Sequence, residues 1–203
     1  FRDVPGVIQS WDVDNGWQSK RGWMCPVIID NMMNLELLFK ATRISGDSSF
    51  YKIAVSHADT TMKHQYREDY SCYHVIDYDC LKGHVRKKET AQGYSHESVW
   101  SRGQAWGLYG YVTCYRETKD KKYLRQAEKI AAFLLNHPNM PADLVPYWDL
   151  TAPNIPNEPR DASAAAVIAS ALYELSEYAG ADYRKTADKI MESLASPAYL
   201  SLV

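Results

Sequence analysis

Residues 102–137 read RGQAWGLYGYVTCYRE, then TKDKKY, then LRQAEKIAAFLLNH. In the last string Ala127, Ile130, Phe133 and Leu134 recur at three- and four-residue steps, so they share one face of a helix. The short break before it carries Asp120 and Tyr123. An Asp there can cap the following helix by accepting its free N–H groups, and the aromatic behind it can staple the turn. This unit occurs twice more. Upstream it is NMMNLELLFKATRI, SGDSSF and YKIAVSHADTTMKHQY, with Asp47 and Phe50 at the break. Downstream it is DASAAAVIASALYELSEY, AGADY and RKTADKIMESL, with Asp182 and Tyr183. Three copies of one unit predict three αα-hairpins in an all-α protein. The alanine-rich run Ala162 to Ala171 is suited to very close packing on a neighbour.

The connections between hairpins are long. CYHVIDYD alternates β-branched and aromatic residues and predicts a short strand of a hairpin; KGHVRKKETAQGYS after it reads as turn and loop. Segment 136–160 holds six of the nine prolines, which leaves no room for a long helix. Loops of this length in a helical scaffold are functional or disordered, and the density of aromatics here (Tyr73, Tyr78, Tyr94, Trp100, Tyr147, Trp148) argues for function. The expected architecture is a helical toroid or barrel whose loops form one working face.

Composition narrows the function. The chain has 203 residues, 23 Lys plus Arg against 25 Asp plus Glu, and a formal charge of −2. It therefore has no basic field to draw nucleic acid or anionic lipid, and no apolar run approaches the roughly 20 residues that span a bilayer. Rings with a polar handle dominate, 15 Tyr and 6 Trp against 4 Phe, as suits surfaces that meet sugars or other amphipathic ligands. Cys25, Cys72, Cys80 and Cys114 lack CxxC spacing, so no zinc site is expected; a Cys72–Cys80 pair across a turn is one reading and four buried thiols the other. Phe1 and Val203 are read as interior points of a longer protein.

Several residues have the chemistry of a site. Asp30 lies in PVIIDNMMNLELL, where an apolar run becomes a helix. A carboxylate among Ile29 and two methionines is desolvated, which raises its pKa and suits a general acid; the same position suits a plain helix N-cap. His74 sits beside Tyr73 on the candidate strand and is either structural or aimed at the cavity Asp30 faces. Gln92 and His96 are polar loop residues without motif value. In WSRGQAWGLYGY, Arg102 and Trp106 are four apart at a helix start and point the same way. An Arg fork flanked by indoles suits a sugar bearing a carboxylate, or Arg102 pairs structurally with Asp149 or Asp161. Asp161 itself reads as an N-cap, and Tyr147, Trp148 and Asp149 as loop anchors or rim.

Taken together, IIDNMMNL, CYHVIDYD, WSRGQAWGLYGY, VPYWDL and RDASAAA resemble the unsaturated glucuronyl hydrolases of glycoside hydrolase family 88 in order and spacing over nearly the whole chain. The unsaturated rhamnogalacturonyl hydrolases of family 105 share the RGQAW-type string, but the other strings fit family 88 better. The resemblance implies an (α/α)6 barrel of six hairpins, of which residues 1–203 are about half, a single incomplete catalytic domain. It implies that Asp30 is the catalytic acid and base, and that His74, Gln92, Arg102, Trp106 and Trp11 contact the substrate, an oligosaccharide ending in a 4,5-unsaturated uronic acid. It implies no metal and no organic cofactor. The family's second important aspartate lies upstream and nothing here matches it, so activity is expected of the longer protein. Periplasm and cytoplasm suit such an enzyme equally. The reading from a different class is a non-catalytic helical-repeat carbohydrate-binding module, which has no need of a desolvated carboxyl at Asp30.

Overall fold

Each of the three sequence units folds into an αα-hairpin in the computed structural model, which describes residues 1–200. The first is α1 (Asn31–Ser45) with α2 (Ser48–His64), the second α3 (Ser101–Thr118) with α4 (Lys121–Leu135), the third α5 (Ala162–Ala179) with α6 (Asp182–Leu194). Asp47 and Asp120 cap α2 and α4, accepting from Ser49 N at 2.8 Å and Lys122 N at 2.9 Å. Asp182 does not act as a cap. It is the first residue of α6, with Ala181 at the cap, and its carboxylate pairs with Lys185 at 2.7 Å. Gly180, at φ +123°, ends α5, and the cap position of α6 falls on Ala181, which is already helical and has no side-chain oxygen to offer.

Helix α3 is central, packing on α1, α4 and α5. Its glycines make that possible. A Cβ on Gly110 would meet Met32 in α1, one on Gly103 would lie 3.0 Å from Ile29 and 2.9 Å from Trp100, and one on Gly107 would strike the Tyr66 hydroxyl. At Gly110 backbone meets backbone, against Met32 at the start of α1, beside Asp30, whereas Gly103 and Gly107 make room for side chains. The alanine-rich α5 packs on α3 and α6 with Ala164, Ala165, Ile168, Ala169, Leu172 and Leu175 buried.

A small antiparallel sheet stands against the hairpins, in the order β1 (Pro26–Ile28), β2 (Val75–Tyr78), β3 (Val85–Glu89). The strand expected in CYHVIDYD is β2. VRKKE, read from sequence as turn and loop, is instead β3: pairing of Val75 with Glu89 and Ile76 with Lys88 draws this charged run into a half-exposed edge. β1 had no signal of its own beyond a short apolar run. Cys72 and Cys80 do not pair; all four thiols are free, and Cys80 is only half-buried. Cys72 instead lies against Gln104, whose side chain brackets its main chain, accepting from Cys72 N at 3.0 Å and donating to Cys72 O at 3.2 Å.

The two long connections fasten to one another through Asp149. This fully buried carboxylate accepts from Tyr94 N, Ser98 Oγ, Val99 N, Thr151 N and Thr151 Oγ1 at 2.6 to 3.2 Å. Five donors on one carboxylate replace the water it lost on burial. The tie seats Trp100 at the head of α3, where Ser101 N also bonds Trp148 O at 3.1 Å.

Candidate active site

Asp30 and His74 are brought together by β1 and β2. Ile29 N donates to His74 O at 3.0 Å, which seats the start of α1 beside the start of β2. Buried Gln65 locks the junction, its amide donating both to Val27 O at 3.2 Å and to His74 O at 3.1 Å. Asp30 Oδ2 is then 3.7 Å from His74 Nε2. Asp30 stands at the N-cap position of α1, but its backbone is already helical (φ −58°, ψ −26°) and its side chain makes no capping bond. The plain N-cap reading of Asp30 is therefore overturned: a carboxylate bonding back to the N2 or N3 amide needs an extended cap residue.

The protonation states follow from the surroundings. Asp30 Oδ2 is buried without a hydrogen-bond partner. Burial pushes its carboxyl up to about 6, against the pull of the Arg102 charge. His74 is buried, and the cost of charging it there, with the Arg21 cation adding to it, pushes its pKa down to about 3. Its imidazole is neutral at physiological pH. Ala91 N and Gln92 N donate to His74 Nδ1 at 3.1 and 3.2 Å, with Thr90 Oγ1 at 3.3 Å. A nitrogen that accepts two N–H bonds carries no hydrogen, so the ring proton resides on Nε2, toward Asp30. Nε2 has no partner either. The pair presents one protonatable carboxyl and one neutral N–H donor, both unsatisfied.

Aromatic rings wall the pair. The Trp100 ring lies 4.4 Å from the imidazole at a 40° tilt, and Trp11 meets it edge-on at 6.4 Å. Arg102 Nε bonds Asp161 Oδ2 at 3.1 Å, with the guanidinium carbon 5.6 Å from the Trp100 centroid. Of the sequence readings of Arg102 the ion pair is present, with Asp161 rather than Asp149, and the Arg102 charge acts on Asp30. Asp161 caps α5 with its other oxygen, accepting from Ala164 N at 2.8 Å. Trp106, one turn along α3, is half-buried with its ring edge-on to Tyr109 at 5.9 Å.

Gln92 is tied to the site through its main chain. Its side chain is exposed and its backbone N–H holds His74. Gln92→Ala should therefore leave folding stability within about 0.5 kcal/mol, whereas Gln92→Pro, which deletes the N–H, should cost about 1 to 2 kcal/mol. Equal midpoints for the two variants in urea unfolding would show that the N–H bond carries no weight. Sequence reasoning missed Gln65, Gln104 and Thr90, whose work is to hold main chain and imidazole in place. Only Gln104, an amide on the apolar side of RGQAW, left a sequence signal.

Among the described residues no group of three or more His, Cys, Asp or Glu is placed to hold a metal ion, and no helix is long and apolar enough to cross a membrane.

The pattern of glycosyl hydrolase family 88 matches residues 6–199. The chain belongs to that family. Within family 88, an unsaturated glucuronyl hydrolase of Formosa agariphila is 52% identical over 201 residues, which are 98% of this chain and 49% of the relative. An unsaturated chondroitin disaccharide hydrolase of Streptococcus agalactiae is 35% identical over 88% of this chain and 43% of its own length. The crystal structure of an unsaturated glucuronyl hydrolase specific for heparin superimposes with a TM-score of 0.94 at 52% identity, covering 99% of this chain and 53% of that one. The unsaturated glucuronyl hydrolase of a Bacillus species does so at 0.84 and 32% identity. These family 88 structures are α/α barrels, and the three hairpins described above are that fold's repeat. The chain spans about half the length of the curated relatives it matches.

Proposed function

We propose that this protein is a glycoside hydrolase that removes a 4,5-unsaturated uronic acid from the non-reducing end of lyase-generated oligosaccharides, with Asp30 as acid and base. The observation that carries the reading is the unpartnered Asp30 carboxyl, pushed up to about 6 and 3.7 Å from a neutral His74 N–H. A poised carboxyl of this kind is what protonation of carbon at neutral pH requires. Membership of family 88 supports it.

The substrate's C4=C5 bond is an enol ether. Protonated Asp30 gives its proton to C4, and the ring oxygen shares the positive charge that develops at C5. The Asp30 carboxylate then takes a proton from water as the water oxygen bonds to C5. The resulting hemiketal opens to a ketone, the ring-oxygen–C5 bond breaking, and the second sugar leaves from the anomeric carbon. One water is consumed and Asp30 ends protonated, ready to repeat. A single carboxyl serves both steps, unlike the facing pair of ordinary glycosidases. His74, donating from Nε2, and Gln92 orient the ring or the water; Arg102 with Trp100, Trp106 and Trp11 binds the anionic sugar. Relatives named for glucuronyl, chondroitin and heparin substrates support a glycosaminoglycan fragment over a pectin fragment.

The test is the ultraviolet absorbance of the conjugated uronate in chondroitin-, heparin- and pectin-derived unsaturated disaccharides incubated with the full-length protein. Loss of absorbance with the glycosaminoglycan fragments is expected. No loss with any of the three would overturn the assignment and leave a carbohydrate-binding protein.

A further inference from the structure

The segment between Trp11 and Trp23 holds a group that the reaction above does not use. Arg21 closes a short 3-10 helix (Gly16–Arg21) and is half-buried. Its guanidinium carbon lies 5.5 Å from the Trp17 ring centroid and 5.2 Å from that of Trp23. Trp11 meets Trp17 edge-on at 5.1 Å and stacks on Trp23 at 5.5 Å. The guanidinium's only hydrogen bond among the described residues runs from Nη1 to Thr90 O at 3.3 Å. No carboxylate among them pairs with it. The nearby candidate, Glu89, is already taken by Trp23 Nε1 at 2.7 Å and by the Lys87 ammonium at 3.9 Å. Lys87 itself donates to the Arg21 carbonyl at 2.9 Å, adding a second positive charge.

A half-buried cation held on aromatic faces without a counter-ion is built to receive an anion. Its position says which one. Arg21 is bound to Thr90, and the Thr90 hydroxyl lies at His74 Nδ1, whereas Asp30 lies at His74 Nε2. The cation and the acid are thus on opposite sides of the imidazole. Asp30 must reach C4 of the terminal sugar, and that sugar's own carboxylate hangs from the adjacent carbon. An anion held at Arg21, across the imidazole from Asp30, is a different group. Trp17, 48% exposed beside it, offers an indole face on which a second sugar ring can stack.

We propose that Arg21 and Trp17 form a subsite for the sugar adjoining the unsaturated uronate, with Arg21 binding a sulfate ester on that sugar. This rests on the hydrolase reading above. The test uses the full-length protein and two unsaturated disaccharides that differ only in a sulfate on the second sugar. Arg21→Gln should lower kcat/KM on the sulfated compound about tenfold or more, as expected for loss of a charge-assisted bidentate contact. The change should lie in KM with kcat kept, and the unsulfated compound should stay within about twofold. Arg21→Lys, which keeps the charge but not the fork, should fall between; should the Gln variant not fold, the sulfated-to-unsulfated ratio is read from the Lys variant. An unchanged ratio overturns the subsite, whether both activities fall together or neither moves. A wild-type protein that consumes neither disaccharide overturns the hydrolase reading itself, and the subsite with it.

Discussion

Asp30→Asn should lower kcat on an unsaturated disaccharide roughly a thousandfold, the scale of losing a positioned general acid. The amide cannot give a proton to C4, yet it has nearly the carboxyl's shape, so KM should change little. In the wild type, kcat/KM should fall as pH rises through about 6, because the proposed reacting form is protonated Asp30. No second inflection from His74 is expected between pH 5 and 8, since burial holds that imidazole neutral throughout. The same substitution has an opposite effect on stability. An unfolded Asp titrates near 4, so between about pH 4 and 6 the folded chain holds a proton that the unfolded chain has released, and raising the pH through that window costs stability. The full cost above pH 6 is about 2 to 3 kcal/mol. The Asn variant should therefore melt higher than wild type at pH 7.5 and converge with it near pH 4, where both side chains are uncharged. Retained turnover in the variant would demote Asp30. A lower melting point at pH 7.5 would mean the carboxylate has a stabilising partner that the geometry does not reveal.

Gly110→Ala should cost about 3 kcal/mol, read as a fall in the urea midpoint. The added methyl would meet Met32 at its Cβ, with Met32 O at 2.9 Å and Met32 C at 3.0 Å. Main chain cannot swing aside as a side-chain tip can, so α1 must translate away from α3. Met32 is two residues from Asp30, and the shift would carry the carboxyl with it. Activity should fall by more than the folded fraction explains, because small misplacements of a reacting group are costly. Normal activity per folded molecule would show that α1 moves without its first turn. An unchanged midpoint would show that the helices are not in contact at this ridge.

The hairpins were legible because their periodicity is local. Ala127, Ile130, Phe133 and Leu134 declare a helix face without reference to anything distant, and Asp120 marks where that helix begins. Asp182 misled because a cap is defined by backbone conformation, and only Gly180 and the tightness of the turn decided that. β3 was illegible for a complementary reason: Val85–Glu89 is strand only because Val75–Tyr78 is there to pair with it. The candidate site divides the same way. Asp30, His74, Arg102, Trp106, Trp11 and Gln92 were nominated by residue type and by resemblance, but the role of Gln92's main chain depends on a loop path that no spacing encodes. The Asp149 hub joins segments some fifty positions apart, and its five donors include three backbone amides, which look alike in every sequence.

The pKa of Asp30 and the tautomer of His74 have opposite causes. The imidazole's proton is fixed by bonds it has, two main-chain amides on Nδ1, and these persist whether or not solvent reaches the ring. The carboxyl's pKa is fixed by bonds it lacks, so each water admitted to the cavity would lower it. The tautomer of His74 is thus constant, while the Asp30 carboxyl reads how dry its surroundings are. Under the proposed reaction, a sugar ring that displaces water from between the indoles would itself arm the acid that attacks it, and the departure of product would disarm it.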